Sequence, residues 1–144
     1  MLSENWNFIL PAFAFIVIWV LVIWLVSLIS GWRHLAKHYR IQDMLNAYQG
    51  KKLRGRHGSF GWTSYGGVLT FGANMQGMYL AVNPLFSIGH PALFIPWIDI
   101  QTEESKGLFS AFTTLLFAQA PKVKLTITSN LMVQVQELKA GNLF

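Results

Sequence analysis

The feature that most constrains this chain is an uncharged, strongly apolar run near its N-terminus. Residues 8–29, twenty-two in all, contain no Asp, Glu, Lys or Arg. As a helix with a rise of ~1.5 Å per residue they would extend ~33 Å, enough to cross the roughly 30 Å hydrocarbon core of a bilayer. The sequence therefore predicts a transmembrane helix over residues 8–30, preceded by a short non-cytoplasmic N-terminus of residues 1–7.

A cleaved signal peptide is the main alternative for this run. Signal peptides begin with positive charge, whereas residues 1–7 include Glu4 and no Lys or Arg. The run also exceeds the roughly 7 to 15 residues of a signal-peptide core. We therefore expect it to be retained as an anchor. Trp6 and Trp32 lie 26 positions apart, a helical span of ~39 Å, and are the predicted membrane-belt residues.

Positive charge is concentrated directly after the anchor. Eleven Lys and Arg oppose six Asp and Glu, and seven of the eleven form one basic block. The basic block comprises Arg33, Lys37, Arg40, Lys51, Lys52, Arg54 and Arg56. Because Lys and Arg beside a transmembrane segment stay on the cytoplasmic side, we predict a single-pass protein of the cell (inner or plasma) membrane, with its N-terminus outside and its C-terminal domain cytoplasmic. The absence of cysteine accords with a reducing compartment.

Helical spacing continues beyond the anchor. Apolar and aromatic residues recur at Trp32, Leu35, Ala36, Tyr39, Leu45 and Tyr48. This spacing predicts a basic amphipathic juxtamembrane helix over residues 31–50, with its basic side toward lipid headgroups. Gly31 is expected to let the helix turn away from the anchor. Residues 51–67 are rich in glycine and aromatic side chains and are expected to form a linker and a first strand.

The remaining residues, 68–144, predict one cytoplasmic β-rich domain with an antiparallel meander. Turn-forming residues separate short apolar stretches. Strands are expected at 68–71, 78–82, 85–88, 93–100, 108–117, 123–128 and 131–138, with turns at 74–77 and 129–130 and a solvated loop at 103–107. Strict alternation at 122–128 and 133–136 predicts a hairpin with one wet face. Residues 108–118 fit a strand, a buried helix or a membrane-dipping loop, and we favour a strand.

A pattern inside this domain resembles a known group of proteins. The residues that carry it are Gly77-Met78-Tyr79-Leu80, then Pro84-Leu85-Phe86, then Gly89-His90-Pro91-Ala92-Leu93-Phe94-Ile95-Pro96-Trp97-Ile98-Asp99-Ile100. Their order is similar to that in uncharacterised bacterial single-pass membrane proteins, and the step from Ile95 to Ile100 resembles PH-like and GRAM-like β domains. The resemblance covers about residues 65–138. It implies a small mainly-β, PH-like domain that binds lipid headgroups or protein partners.

His34 and His38 are the candidate ligand pair. Four residues apart on a helix, both imidazoles can face one metal ion or a haem. Two ligands do not make a site, and His57 and His90 have no diagnostic spacing to them. The favoured interpretation is an ordinary surface facing headgroups, so we predict no metal and no cofactor.

Catalytic chemistry has little support in the sequence. Asp99, Glu103, Glu104 and His90 lie close together in the chain, and a carboxylate with a histidine can transfer protons. The chain has no thiol, no Gly-x-Ser-x-Gly elbow, no phosphate-binding loop and no dinucleotide fingerprint. We favour strand-end and turn roles for these residues and predict no catalytic residue and no enzymatic activity.

The basic block favours a polyanionic partner, because each Lys or Arg near an anionic leaflet contributes about 1 kcal/mol to membrane binding. One alternative is that these charges only set the topology. Another is nucleic acid, bound by the basic and aromatic residues 55–65. The tether places the block beside the bilayer, so we predict headgroup contact and no nucleic-acid partner.

The anchor itself has features of an interface. Trp19 and Trp24 lie inside the apolar run, where an indole N–H needs a partner. Phe13, Trp19 and Trp24 are therefore candidate contacts with another helix, although lipid exposure is equally compatible. The sequence favours a non-enzymatic membrane-anchored interaction protein, an accessory subunit of a larger membrane complex. The alternative is a PH-like or GRAM-like domain that binds anionic lipid, with an enzyme as the residual possibility.

Overall fold

A long apolar helix precedes the β domain in the computed structural model, which describes residues 2–41 and 48–141. Helix α1 (Leu2–Ser30) contains the whole uncharged run. Its segment Trp6–Ser30 is long and apolar enough to cross a membrane. Gly31 ends the helix with a φ of 86°, a left-handed conformation that glycine adopts without strain. The expected change of direction at Gly31 is confirmed.

Helix α2 (Trp32–Tyr39) packs against the β domain and is shorter than predicted. Its apolar side, Trp32, Leu35 and Tyr39, is buried in the domain core. The helix has ended by Arg40, which is extended and forms a β-bridge with Leu93. The predicted helix over residues 31–50 is therefore wrong at residues 40, 41 and 48–50, and the part over 42–47 lies outside the described residues.

Within the described residues, seven antiparallel strands form one curled sheet in the order β4-β3-β2-β1-β7-β6-β5. The strands are β1 (Lys52–Phe60), β2 (Thr63–Ala73), β3 (Gly77–Val82), β4 (Leu93–Pro96), β5 (Ile100–Lys106), β6 (Ala111–Phe117) and β7 (Ala120–Thr128). The expected strands within β2, β3 and β7 are confirmed, as is the strand assignment for residues 111–117. The mainly-β antiparallel class is likewise confirmed.

Three other segments differ from the sequence prediction. The first strand expected within residues 51–67 is confirmed as β1, but β1 and the start of β2 occupy nearly the whole segment in place of a linker. Register shifts in the β1–β2 pairing fall on either side of Arg56, near Gly55 and Gly58. The predicted loop at 103–107 is largely strand β5, which is paired with β6 along its whole length. The predicted strand at 85–88 is instead a 3₁₀ turn, Pro84–Phe86, in which the Asn83 side chain accepts from the Leu85 N–H.

Helix α3 (Ser129–Lys139) replaces the predicted last strand. The Thr128 side chain caps the helix by accepting from the Leu131 N–H. Leu131, Val135 and Leu138 then recur at helical spacing and are buried with the sheet core. The alternation at 133–136 is incidental to this pattern, so the predicted hairpin of 122–128 with 133–136 is wrong, and β7 pairs with β1 and β6 instead.

Candidate functional site

The junction between α1 and the β domain contains a cluster of buried aromatic and polar side chains. Trp32 follows Gly31 and is fully enclosed, with an exposed fraction of 0%. Its indole Nε1 donates to the Pro91 carbonyl at 2.9 Å, and its ring packs edge-on against Phe60 and His90. Trp32 therefore does not face lipid, and its assignment as a belt residue is wrong because tertiary packing buries it.

A buried polar network crosses this junction. Tyr65 Oη lies 2.8 Å from Ser30 Oγ on α1 and 2.8 Å from His90 Nε2. His90 Nδ1 lies 2.9 Å from the Ile88 carbonyl, which can only accept, so Nδ1 carries the proton of the neutral ring. Nε2 is then unprotonated, and both Ser30 Oγ and His90 Nε2 are in position to accept the single proton of the Tyr65 hydroxyl. The network joins the end of α1 to two separate parts of the sheet domain.

Burial sets the protonation of this network. Desolvation by burial raises the pKa of Tyr65 to about 12, although the Ser30 hydrogen bond acts to lower it. Burial also lowers the pKa of His90, against the raising effect of its hydrogen bond to the Ile88 carbonyl. At neutral pH both side chains are uncharged, so the junction holds a neutral hydrogen-bonded cluster rather than an ion pair.

The basic block divides between two surfaces. Arg33 lies on α2 with its guanidinium 6.0 Å from the Trp24 ring, and Lys37 is exposed on the same helix. Lys52 and Arg54 lie on β1 instead. In the rest of the basic block, Arg40 and Lys51 are exposed and Arg56 is half-buried. The Arg56 Nε has no hydrogen-bond partner among the described residues.

Lys52 and Arg54 line a cleft on the outer face of the sheet. The Lys52 Nζ lies 4.9 Å from the centre of the Tyr79 ring, and Tyr79 stacks on Tyr48 at 5.2 Å. Partial burial raises the pKa of Tyr79, while the nearby Arg54 charge acts to lower it. The cleft has a volume of about 210 Å³ and is also lined by Thr70, Asn83 and Pro84. Cationic and hydroxyl groups in this arrangement suit an anionic ligand.

Sequence reasoning missed three exposed residues beside the end of α1. Trp62 in the β1–β2 turn, with Lys122 and Lys124 at the start of β7, borders a cleft that also includes residues 29–31 of the anchor. The alternation in residues 122–128 places both lysines on the wet face of their strand. Only the tertiary fold reveals that this face lies next to the anchor.

The histidine pair on α2 does not form a larger ligand cluster. His34 and His38 are exposed, with ring centres 6.5 Å apart. Within residues 2–41 and 48–141, no group of three or more His, Cys, Asp or Glu side chains could hold a metal ion. Among these described residues the pair has no neighbouring third ligand of the kind that a protein metal site uses.

The possible acid–base residues have different environments. His90 is committed to the junction network, whereas Asp99 accepts a hydrogen bond of 3.0 Å from the Tyr39 hydroxyl. Glu103 and Glu104 are exposed on β5. The contacts of His90 and Asp99 thus assign both to holding α1, α2 and the sheet together.

The candidate helix-contact residues are not equivalent. Phe13 is exposed, as is the predicted belt residue Trp6. Trp19 packs on Phe86 of the β domain with ring centres 5.2 Å apart, and Trp24 lies under Arg33. Two of the three candidates, Trp19 and Trp24, therefore have partners within the same chain.

No protein-family model matches the chain. No curated protein sequence and no solved structure matches it either. The geometry of the junction and of the exposed surfaces is therefore the basis for a functional proposal.

Proposed function

We propose that this protein is a non-enzymatic, single-pass membrane protein whose β domain binds other subunits of a membrane complex. The observation that most supports this proposal is the exposed apolar tip of the β5–β6 hairpin. At its tip Leu108 is 96% exposed and Phe109 is 98% exposed. Two adjacent, fully exposed apolar side chains at the end of an edge hairpin favour a protein-binding surface.

The edge strand supports the same proposal. Among the described residues β5 pairs with β6 alone, and every residue of 101–106 is exposed. The opposite edge of the sheet differs, because Arg40 bridges Leu93 and the Ile41 N–H donates to the Ala92 carbonyl. An open edge offers backbone groups to which a partner strand can add.

The hairpin is separated from the anchor. Val123 is close to Gly31, since a Cβ at Gly31 would lie 2.8 Å from Val123 Cγ2. Thr128, five residues further along β7, pairs with Phe112 next to the hairpin tip. At about 3.3 Å per residue this separation is ~17 Å along the strand. Anchoring and partner binding therefore use different surfaces.

The proposed orientation places the domain in the cytoplasm and the N-terminus outside. It rests on the basic block directly after α1 and on Lys122 and Lys124 beside the helix end. A glycosylation or cysteine-labelling reporter at each terminus tests it directly.

Gentle detergent extraction followed by native sizing and partner identification tests the subunit proposal. We expect one sharp high-mass species with a reproducible partner, lost in Leu108→Ser/Phe109→Ser and retained in Met75→Ser. Met75 is a matched control because it is 77% exposed on the β2–β3 turn. A particle containing one 16.3 kDa chain with detergent would contradict the proposal.

A second candidate function is favoured by the Lys52–Arg54 cleft. The resemblance to PH-like and GRAM-like domains implies headgroup binding, and a seven-stranded antiparallel sheet with a helix at its C-terminal end is compatible with it. The cleft contains the ammonium group of Lys52, the guanidinium of Arg54 and the hydroxyls of Thr70 and Tyr79. These groups suit a phosphate-bearing headgroup.

This second function is tested with the full chain in detergent, by titrating short-chain phosphatidylglycerol or phosphatidylcholine and measuring the midpoint of thermal unfolding. We expect stabilisation by the anionic lipid alone, weakened by salt and by Lys52→Gln/Arg54→Gln. Lys106→Gln/Lys139→Gln, which removes two positive charges outside the cleft, is the charge-matched control. Equal effects of both lipids would contradict headgroup recognition.

A further inference from the structure

The connection between β3 and β4, residues 83–92, runs alongside the C-terminal half of the anchor. Phe86 packs on Trp19, and Gly89 approaches so closely that a Cβ there would lie 2.7 Å from Ser27 Oγ. The neighbouring Leu85 is nevertheless 73% exposed and Ile88 40% exposed. The connection thus contacts α1 through one side and presents apolar side chains on the other.

The length of α1 fixes the depth of this connection. A hydrocarbon core of about 30 Å takes ~20 helical residues, so a core that begins at Phe8 ends near Ser27. Trp19 lies eight residues before Ser27, which is ~12 Å inside that boundary. If the core ended at Trp19 instead, the apolar run would supply only ~18 Å, too short to cross. Phe86 at the level of Trp19 is therefore within the acyl-chain layer.

The composition of the connection suits that depth. No Asp, Glu, Lys or Arg occurs anywhere between Arg56 and Asp99. His90, at the end of the connection, is buried and its pKa is lowered by that burial. The connection itself therefore carries no ionised side chain into the hydrocarbon layer, where such a charge is costly, and Lys52 and Arg54 border only its first two residues, Asn83 and Pro84.

The backbone of the connection is also largely satisfied within itself. The Leu85 N–H donates to Asn83 Oδ1, and the Phe86 N–H donates to the Asn83 carbonyl. The Ser87 N–H and hydroxyl both donate to the Pro84 carbonyl. Pro84 has no N–H to satisfy. Irregular backbone at membrane depth is tolerated where protein covers it, and here the connection packs on α1 through Phe86 and Gly89.

We propose that residues 83–89 form a lipid-inserted wedge, with Leu85, Phe86 and Ile88 among the acyl chains beside α1. Trp62, fully exposed next to residues 29–31, lies at headgroup level with Lys122 and Lys124. The occupant of this surface is the bilayer, because the wedge continues the exposed apolar surface of α1. The inference rests on the proposed anchoring of the chain by α1.

Depth-dependent fluorescence quenching tests the wedge in the full chain, which contains no native cysteine. Leu85→Cys, Trp62→Cys, Phe13→Cys and Met75→Cys are each labelled with an environment-sensitive dye in nanodiscs that hold one copy of the chain. Lipids carry a nitroxide either in the acyl chain or at the headgroup. We expect strong acyl-chain quenching at Phe13 and Leu85, preferential headgroup quenching at Trp62, and neither at Met75.

The outcomes separate the wedge from the anchor. A Leu85 label as weakly quenched by lipid as the Met75 label, with Phe13 strongly quenched, overturns the wedge and leaves the anchor intact. An unquenched Phe13 label overturns the anchor itself. A Leu85 label shielded from both lipid nitroxide and aqueous iodide indicates burial in protein and also overturns lipid insertion. Retention of the native unfolding midpoint in each labelled variant confirms that the fold is unchanged.

Discussion

The anchor junction and the β5–β6 hairpin are built in opposite ways. At the junction, Ser30, Trp32, Tyr65 and His90 are all buried and are linked by hydrogen bonds or ring contacts. In the hairpin, residues 101–110 are exposed without exception. The domain is thus fixed to its anchor at one end and left uncovered at the other, so that the hairpin is held at a defined place relative to α1.

Among substitutions that test this contrast, Trp32→Ala is expected to change the free energy of unfolding most. Removing a fully buried tryptophan and its hydrogen bond to Pro91 should lower the free energy of unfolding by about 3–5 kcal/mol. Chemical denaturation of the full chain in detergent measures it. Trp62→Ala is the matched control and should change stability by less than about 0.5 kcal/mol. Equal effects of the two substitutions would contradict the burial of Trp32 and would favour its prediction as a membrane-belt residue.

Gly31→Ala is expected to have the next largest effect. Its φ of 86° costs an L-residue about 1–2 kcal/mol, and the new Cβ would displace Val123. Gly61→Ala is the control, because Gly61 has a φ of 59° but a Cβ added there would meet nothing within 4 Å. The difference between their unfolding free energies isolates the contact between anchor and sheet. No difference would mean that the junction is looser than the packing indicates.

Tyr65→Phe removes only the hydroxyl at the centre of the junction network. Ser30 and His90 Nε2 then lose their shared buried partner, so we expect a loss of about 1–3 kcal/mol. The same denaturation experiment measures it. Ser64→Ala, at the neighbouring exposed side chain, controls for the loss of a hydroxyl from β2. An unchanged midpoint in Tyr65→Phe would contradict a stabilising network.

The pH dependence of stability provides a smaller, independent test. Burial lowers the pKa of His90 in the folded chain, whereas in the unfolded chain this histidine has its ordinary pKa of about 6.5. As the pH falls below about 6.5, the unfolded chain therefore binds more protons at this residue than the folded chain does. Stability should therefore be complete above that pH and fall as the pH drops toward the folded pKa. The slope from this group cannot exceed about 1.4 kcal/mol per pH unit. His90→Gln, which does not titrate there, should flatten the slope, and an unaltered slope would contradict the assignment.

The smallest stability effect is expected at the hairpin tip. Leu108→Ser and Phe109→Ser should each leave the free energy of unfolding within about 0.5 kcal/mol of the native value, because neither side chain is buried. Thermal unfolding of the isolated chain measures this. A large loss would show that the tip is part of the folded core, and the hairpin would then no longer differ from the junction.

The long apolar helix α1 and most strands could be predicted because their signals are local. The uncharged run needs only composition, and the alternation in β7 needs only the two faces of a strand. Trp32 shows the limit, since a spacing of 26 residues from Trp6 looks like a membrane belt until the sheet folds around it. Burial of a side chain by distant residues is not visible in sequence spacing.

Helix α3 shows a different failure, in which two periods compete within one segment. Val133, Gln134, Val135 and Gln136 alternate as in a strand, but Leu131, Val135 and Leu138 follow a helical repeat and Thr128 caps it. The longer repeat, with its cap, is the better signal. The junction network was beyond prediction, because Ser30, Tyr65 and His90 come from three separate segments.

The pairing of Arg40 and Ile41 with the first part of β4 bears on stoichiometry. A sheet with two free edges can add strands at both and propagate from chain to chain. Here the chain's own backbone occupies part of the β4 edge, so the strand addition that we propose would occur at β5. Association through this sheet should therefore terminate after a single partner, giving a closed one-to-one assembly rather than a growing filament in the plane of the membrane.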